Sequence, residues 1–187
     1  MGLDMYLMRG PAGYAPESLF DYDRRARSIY SRVTGHAPLA IRPGPDIPAI
    51  PDVARYALPM PLRTMLAWYP AFHVGEEHYI LGITQCALYW RKANAIHGWF
   101  VDHVQGGVDH CRPAPVSRTT LETLLDVVRE VQATENVALL PTRDGFFFGG
   151  TAYDSYYYEM LAATASGLGA LLSHWDDTSA YYYAASW

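Results

Sequence analysis

The last eight residues, AYYYAASW (180–187), are aromatic and small, the composition of a β-strand. A partner lies at the other end of the chain, where GLDMYLMR (2–9) starts an apolar-polar alternation that breaks at Gly10-Pro11. Pairing these terminal strands decides the expected fold class. It is α+β, a single globular domain over residues 1–187, with helices packed on a small antiparallel sheet that pairs the N- and C-terminal strands.

The helices announce themselves between the strands. PESLFDYDRRARSIYSRV, from Pro16, places Leu19, Tyr22 or Asp23, Ala26, Ile29 or Tyr30, and Val33 at helical spacing, with Pro16 and Glu17 suited to a first turn and Gly35 to a stop. Ser117 is a good N-cap for RTTLETLLDVVREVQ, whose apolar stripe is Leu121, Leu124, Leu125, Val128 and Val131. A last helix is expected from about Tyr153 to His174. HYILGI (78–83) reads as a short strand or helical lead-in, and LLPTRDGFFFGG (139–150) as a turn or short hairpin whose rings seal the core. Residues 37–61 hold seven prolines and one glycine, which excludes continuous helix or central strand and leaves a Pro-rich loop.

Composition excludes several classes of function. Half of the 187 residues are apolar and 18% are charged, enough for a well-filled core. No apolar run is long enough to span a bilayer, and the N-terminus lacks a basic start before a long apolar stretch, so a cytoplasmic protein with no membrane partner is expected. A net charge of −5 argues against bulk binding to duplex nucleic acid. Cys86 and Cys111 are expected to be reduced thiols. Asp102, His103, Asp109, His110 and Cys111 cluster, but their spacing matches no standard zinc pattern, so no metal and no cofactor are expected. Neither a GxSxG elbow, a phosphate-binding GxxxxGK[ST] loop nor a dinucleotide fingerprint is present.

The chemistry concentrates in LYWRKANAIHGWFVDHV (88–104), which holds the chain's single lysine, Lys92, against thirteen arginines. Taken as one helix at about 100° per residue, it brings Trp90, Arg91, Asn94, His97, Gly98 and Val101 into an arc of roughly 120°. Tyr89, Ile96 and Phe100 fall on the opposite, core-facing side. Gly98 would leave room on the polar rim for a ligand or another backbone. Arginine offers a planar fork of donors to carboxylate or phosphate, asparagine both a donor and an acceptor, and histidine an exchangeable proton. The same pattern also fits ordinary structure: Arg91 and Lys92 paired with Asp102 or Asp126, Asn94 bonded to buried backbone, and His97 satisfied in the core. Fifteen tyrosines include the runs 156–158 and 181–183, which suit a homo-oligomer surface, a base-stacking wall or plain packing.

With MGLDMYL at 1–7, YWRKANAIHGWFV at 89–101, LLPT at 139–142, GFFFG at 145–149 and Tyr153, Asp154 and Tyr157 beyond it, the chain resembles a family of uncharacterised phage and prophage proteins. The resemblance extends to Ser186 and Trp187; residues 10–70 and 183–185 depart from it. It implies a small accessory protein in a bacterial host cell and no particular reaction.

Two functions remain open. One is a binder of an anionic, nucleotide-like small molecule or of a host protein, through Trp90, Arg91, Lys92, Asn94, His97, Asp154 and Tyr157. The other is a metal-independent hydrolase or transferase acting on a phosphorylated small molecule, with His97 as acid or base, Asp154 orienting it, and Arg91 and Lys92 on the phosphate. Binding is the favoured expectation, because no catalytic signature is present.

Overall fold

A computed structural model describes residues 2–35, 71–74, 77–80 and 83–187. The Pro-rich loop expected at 37–61 lies outside the described residues. The fold class is α+β, as expected. Its main sheet comprises β1 (Asp4–Pro11), β4 (Gln85–Arg91), β5 (Ala114–Val116) and β6 (Ser179–Ser186) in the order β4-β1-β6-β5, so the terminal strands are neighbours. β5 pairs antiparallel with β6, Ala114 opposite Tyr183 and Val116 opposite Tyr181. A second sheet is the antiparallel pair β2 (Ala71–Val74) and β3 (Glu77–Ile80). The described α-helices are α1 (Pro16–Thr34), α2 (Asn94–His103), α3 (Arg118–Thr134) and α4 (Ser155–Ser173).

The chain divides into two compact units. One holds residues Arg9–Cys86 and Thr178–Ala180. Within it α1 begins at Pro16 and closes on Gly35 in the left-handed region (φ 70°), as its sequence requires. The helix buries Leu19, Asp23, Ala26 and Ile29, three or four residues apart. The buried carboxylate of Asp23 accepts from the Ile83 backbone N–H (3.2 Å) and from the Thr84 hydroxyl (2.8 Å), which satisfies a charge that burial alone would penalise.

The other unit holds Met1–Met8, Ala87–Asp177 and Tyr181–Trp187, and with them every proposed site residue. Alternation along β1 buries Met5 and Leu7, and Leu3 just before the strand is buried with them. Ser117 caps α3, its Oγ accepting from the Thr120 N–H at 3.0 Å, and the stripe Leu121, Leu124, Leu125, Val128 and Val131 is buried throughout. Asp154 caps α4 in the same way, accepting from the Tyr157 N–H at 3.2 Å. Leu161, Leu168 and Leu172 of α4 join the stripe of α3 in one core.

The stretch 88–104 is not one helix. Residues through Arg91 form β4, Lys92 turns the chain in the left-handed region (φ 54°), and the helix starts only at Asn94. Along the strand, exposed Tyr89 is followed by buried Trp90, a period of two that the rich apolar content disguised as a helical one. The Lys92 N–H then donates to the Leu3 carbonyl at 2.7 Å, a bond to the neighbouring strand segment that helical backbone would forgo. Trp90, Arg91 and Lys92 therefore share no helical face with Asn94 and His97.

Candidate functional site: a cavity at the start of α2

The junction of β4 and α2 builds a cavity of about 330 Å³. Ala93, at the N-cap of α2, offers no side chain to cap the helix. The N–H groups of Asn94, Ala95 and Ile96 have no partner within the helix by geometry, and they carry the positive end of its dipole. These residues and Lys92 form one side of the cavity, with Gly149 and Gly150 beside them. The Lys92 stem runs so close that a Cβ on Gly149 would stand 3.2 Å from Lys92 Cβ, at a backbone φ of 91° that already favours glycine. Among the described residues Lys92 makes no ion pair. The remaining lining includes Asp154, Tyr156, Tyr157, Met160 and Leu161 from α4 and its cap.

Asn94 holds the opposing segment in place. Its buried amide donates to the carbonyls of Phe148 (3.3 Å) and Gly150 (2.8 Å), while its Oδ1 accepts from the Arg143 N–H (3.2 Å). The sequence expectation is of a bond to buried backbone; the three backbone groups that Asn94 holds are only partly buried. The tyrosines brace the far side: Tyr156 donates its hydroxyl to the Arg91 carbonyl (2.6 Å) and Tyr157 to the Leu140 carbonyl (2.8 Å).

Burial, with smaller contributions from Tyr153 and Tyr158, pushes the Tyr157 phenol up to about 12. The folded state thus keeps a proton that the unfolded chain releases near pH 10, and stability falls as pH rises from about 10 to 12. We expect thermal melts of Tyr157→Phe to lose less stability than the parent across that window. Parallel pH profiles for the two proteins would contradict it.

Of the seven proposed ligand residues, Lys92, Asn94, Asp154 and Tyr157 line the cavity, and Trp90, Arg91 and His97 do not. Trp90 is a core residue, 4% exposed, whose indole N–H donates to Thr164 Oγ1 at 2.9 Å. Arg91 points its guanidinium toward Asp4, 3.6 Å away, rather than toward Asp102 or Asp126. His97 is fully buried and bonded at both ring nitrogens, to the Tyr183 hydroxyl (2.6 Å) and to Asp109 (3.0 Å), with Phe148 edge-on to its ring. Burial first, then the Asp109 charge, pushes the Tyr183 phenol up, so this hydroxyl stays protonated beside Nδ1, while Nε2 faces the Asp109 carboxylate. The pairing of His97 with Asp154 expected from sequence is replaced by these partners. Nothing in this cluster lines the cavity, so His97 has no route to a substrate there.

The space beside Gly98 is also filled. A Cβ there would clash with the Arg143 side chain at Nε, because the arginine crosses the helix to pair with Asp102. Gly98→Ala should displace that side chain at a net cost of about 1 kcal/mol, since overpacking and the lost ion pair outweigh the gain in helix propensity. Introduced into Arg143→Ala, the same substitution should instead stabilise by roughly 0.5–1 kcal/mol. Urea titration of the four proteins checks the change of sign.

Tyr181, Tyr182 and Tyr183 are buried, so that run forms no stacking wall, whereas the run on α4 splits into exposed Tyr156, buried Tyr157 and half-buried Tyr158. Among the described residues no three His, Cys, Asp or Glu side chains gather to hold a metal ion, no helix is long and apolar enough to cross a membrane, and neither cysteine is in a disulfide. Sequence reasoning missed Thr142, Gly149, Gly150, Tyr156 and Met160 as lining residues. Gly149, beside Lys92, was a visible signal of close approach that the sequence reading did not use. No protein-family model, curated protein or solved structure matches the chain.

Proposed function

We propose that the protein binds an anionic small molecule in the cavity at the start of α2. The observation that carries this reading is the uncapped N-terminus of a ten-residue helix opening into a cavity of about 330 Å³ beside Lys92, which makes no ion pair among the described residues. Backbone N–H groups and the helix dipole stabilise a carboxylate or phosphate there, and the ammonium adds a charge-assisted hydrogen bond. The resemblance to phage and prophage proteins fits a small accessory binder acting in a bacterial host. Titration with adenosine monophosphate and phenyl phosphate, followed calorimetrically, tests the site. Lys92→Ala should weaken any such binding roughly tenfold, the value of one charge-assisted bond. Unchanged affinity in that variant would refute the assignment.

Capture of a host protein is favoured by one feature. Phe146 is 95% exposed on the turn closed by the Phe148 N–H to Gly145 carbonyl bond, whereas its neighbour Phe148 packs against the core. If that ring anchors a partner, Phe146→Ser will abolish co-purification of a host protein without changing the melting temperature. Hydrolase or transferase chemistry has no comparable support, because the one proposed acid or base, His97, lies outside the cavity lining.

A further inference from the structure

We infer that the ligand is a zwitterion, a free amino acid or a dipeptide, whose carboxylate meets Lys92 and whose ammonium meets Asp154. This rests on the anion-binding reading and narrows it. Lys92 and Asp154 line the same cavity, yet among the described residues neither forms an ion pair, with the other or with any third group. One oxygen of Asp154 accepts the Tyr157 N–H that caps α4, and the second has no hydrogen-bond donor among the described residues. The cavity thus presents one cation and one anion with unused bonding capacity.

Charge complementarity selects among anions. A phosphate monoester carries close to two negative charges and has to confront the Asp154 carboxylate that lines the same cavity. A zwitterion satisfies both groups and leaves neither charge unmatched. Ile96, Met160 and Leu161 supply an apolar wall for a side chain, and Tyr156 and Tyr157 an aromatic one. The volume, about 330 Å³, is at the small end of ligand sites and suits a molecule of this size.

Matched pairs test the inference: each protein amino acid and its glycyl dipeptide against the N-acetylated form, which keeps the carboxylate and loses the ammonium. Thermal-shift screening followed by calorimetry on the full chain should find at least one free form bound tenfold or more tighter than its acetylated partner. Asp154→Asn, which retains a good N-cap for α4, should erase that preference and leave the acetylated form's affinity in place. Lys92→Ala should weaken both forms. Equal binding of free and acetylated forms, a preference that survives Asp154→Asn, or no zwitterion bound at all would each overturn the inference. Binding of phenyl phosphate that falls in Lys92→Ala would then leave the anion site standing on its own; no binding of either class removes both readings.

Discussion

Replacing Trp90 by alanine is expected to destabilise the protein by about 3–5 kcal/mol, the range for truncating a large buried aromatic. The indole is 4% exposed and packs against Phe100 with ring centroids 5.8 Å apart. Its N–H donates to Thr164 Oγ1, whose own hydroxyl donates to the Met160 carbonyl one turn earlier in α4. Truncation therefore leaves a cavity and removes a tie between β4 and α4. For a chain of this length the melting temperature should fall by roughly 10 °C or more. Trp90→Phe retains most of the packing and loses the hydrogen bond, so a loss of about 1–2 kcal/mol is expected. Circular dichroism melts read both variants without depending on the fluorophore removed. A loss below about 1 kcal/mol in Trp90→Ala would place the ring outside the core, since buried aromatic truncations cost several times that.

Asn94→Ala should cost about 2–4 kcal/mol, because one side chain satisfies three backbone groups of the segment that borders the cavity. Two carbonyls, of Phe148 and Gly150, lose their donor, and the Arg143 N–H loses its acceptor. The effect should be local as well as global: amide exchange at Arg143 should accelerate well beyond that of α3, and binding in the cavity should weaken along with it. Asn94→Asp separates the parts of this argument. It keeps the acceptor for Arg143 and sets a carboxylate against two carbonyl oxygens, so it should protect the Arg143 amide while destabilising the protein at least as much. Wild-type stability in either variant would show that the segment holds its course without Asn94.

These two residues also mark the limit of what the chain's order reveals. α3 was legible from Ser117 to its last apolar residue because its cap and its stripe are local patterns, each set within a turn or two. The terminal strands were legible for the same reason, and so was the stop at Gly35. β4 was not, since a short run of large apolar residues satisfies strand and helix periods alike, and the deciding bond comes from Leu3, far away in sequence. The same holds for chemistry. Residue types at 90–97 announced hydrogen bonding correctly, but their partners, Thr164 for Trp90, Tyr183 and Asp109 for His97, and the 143–150 segment for Asn94, are assembled by tertiary folding. Trp90 and His97 thereby became core residues. Lys92, Asn94, Asp154 and Tyr157 met around a cavity that no helical wheel contained.

Lys92 carries the only side-chain amine in all 187 residues. Acylating or reductively methylating reagents thus have one ε-amino target, on a residue that lines the cavity. A fluorophore, spin label or isotope-enriched methyl group attached there would report from the binding site itself, with no engineered cysteine and no competing lysine signal. Protection of that amine by a bound ligand would register as a single missing mass increment, making ordinary bioconjugation chemistry an occupancy assay for the unaltered protein.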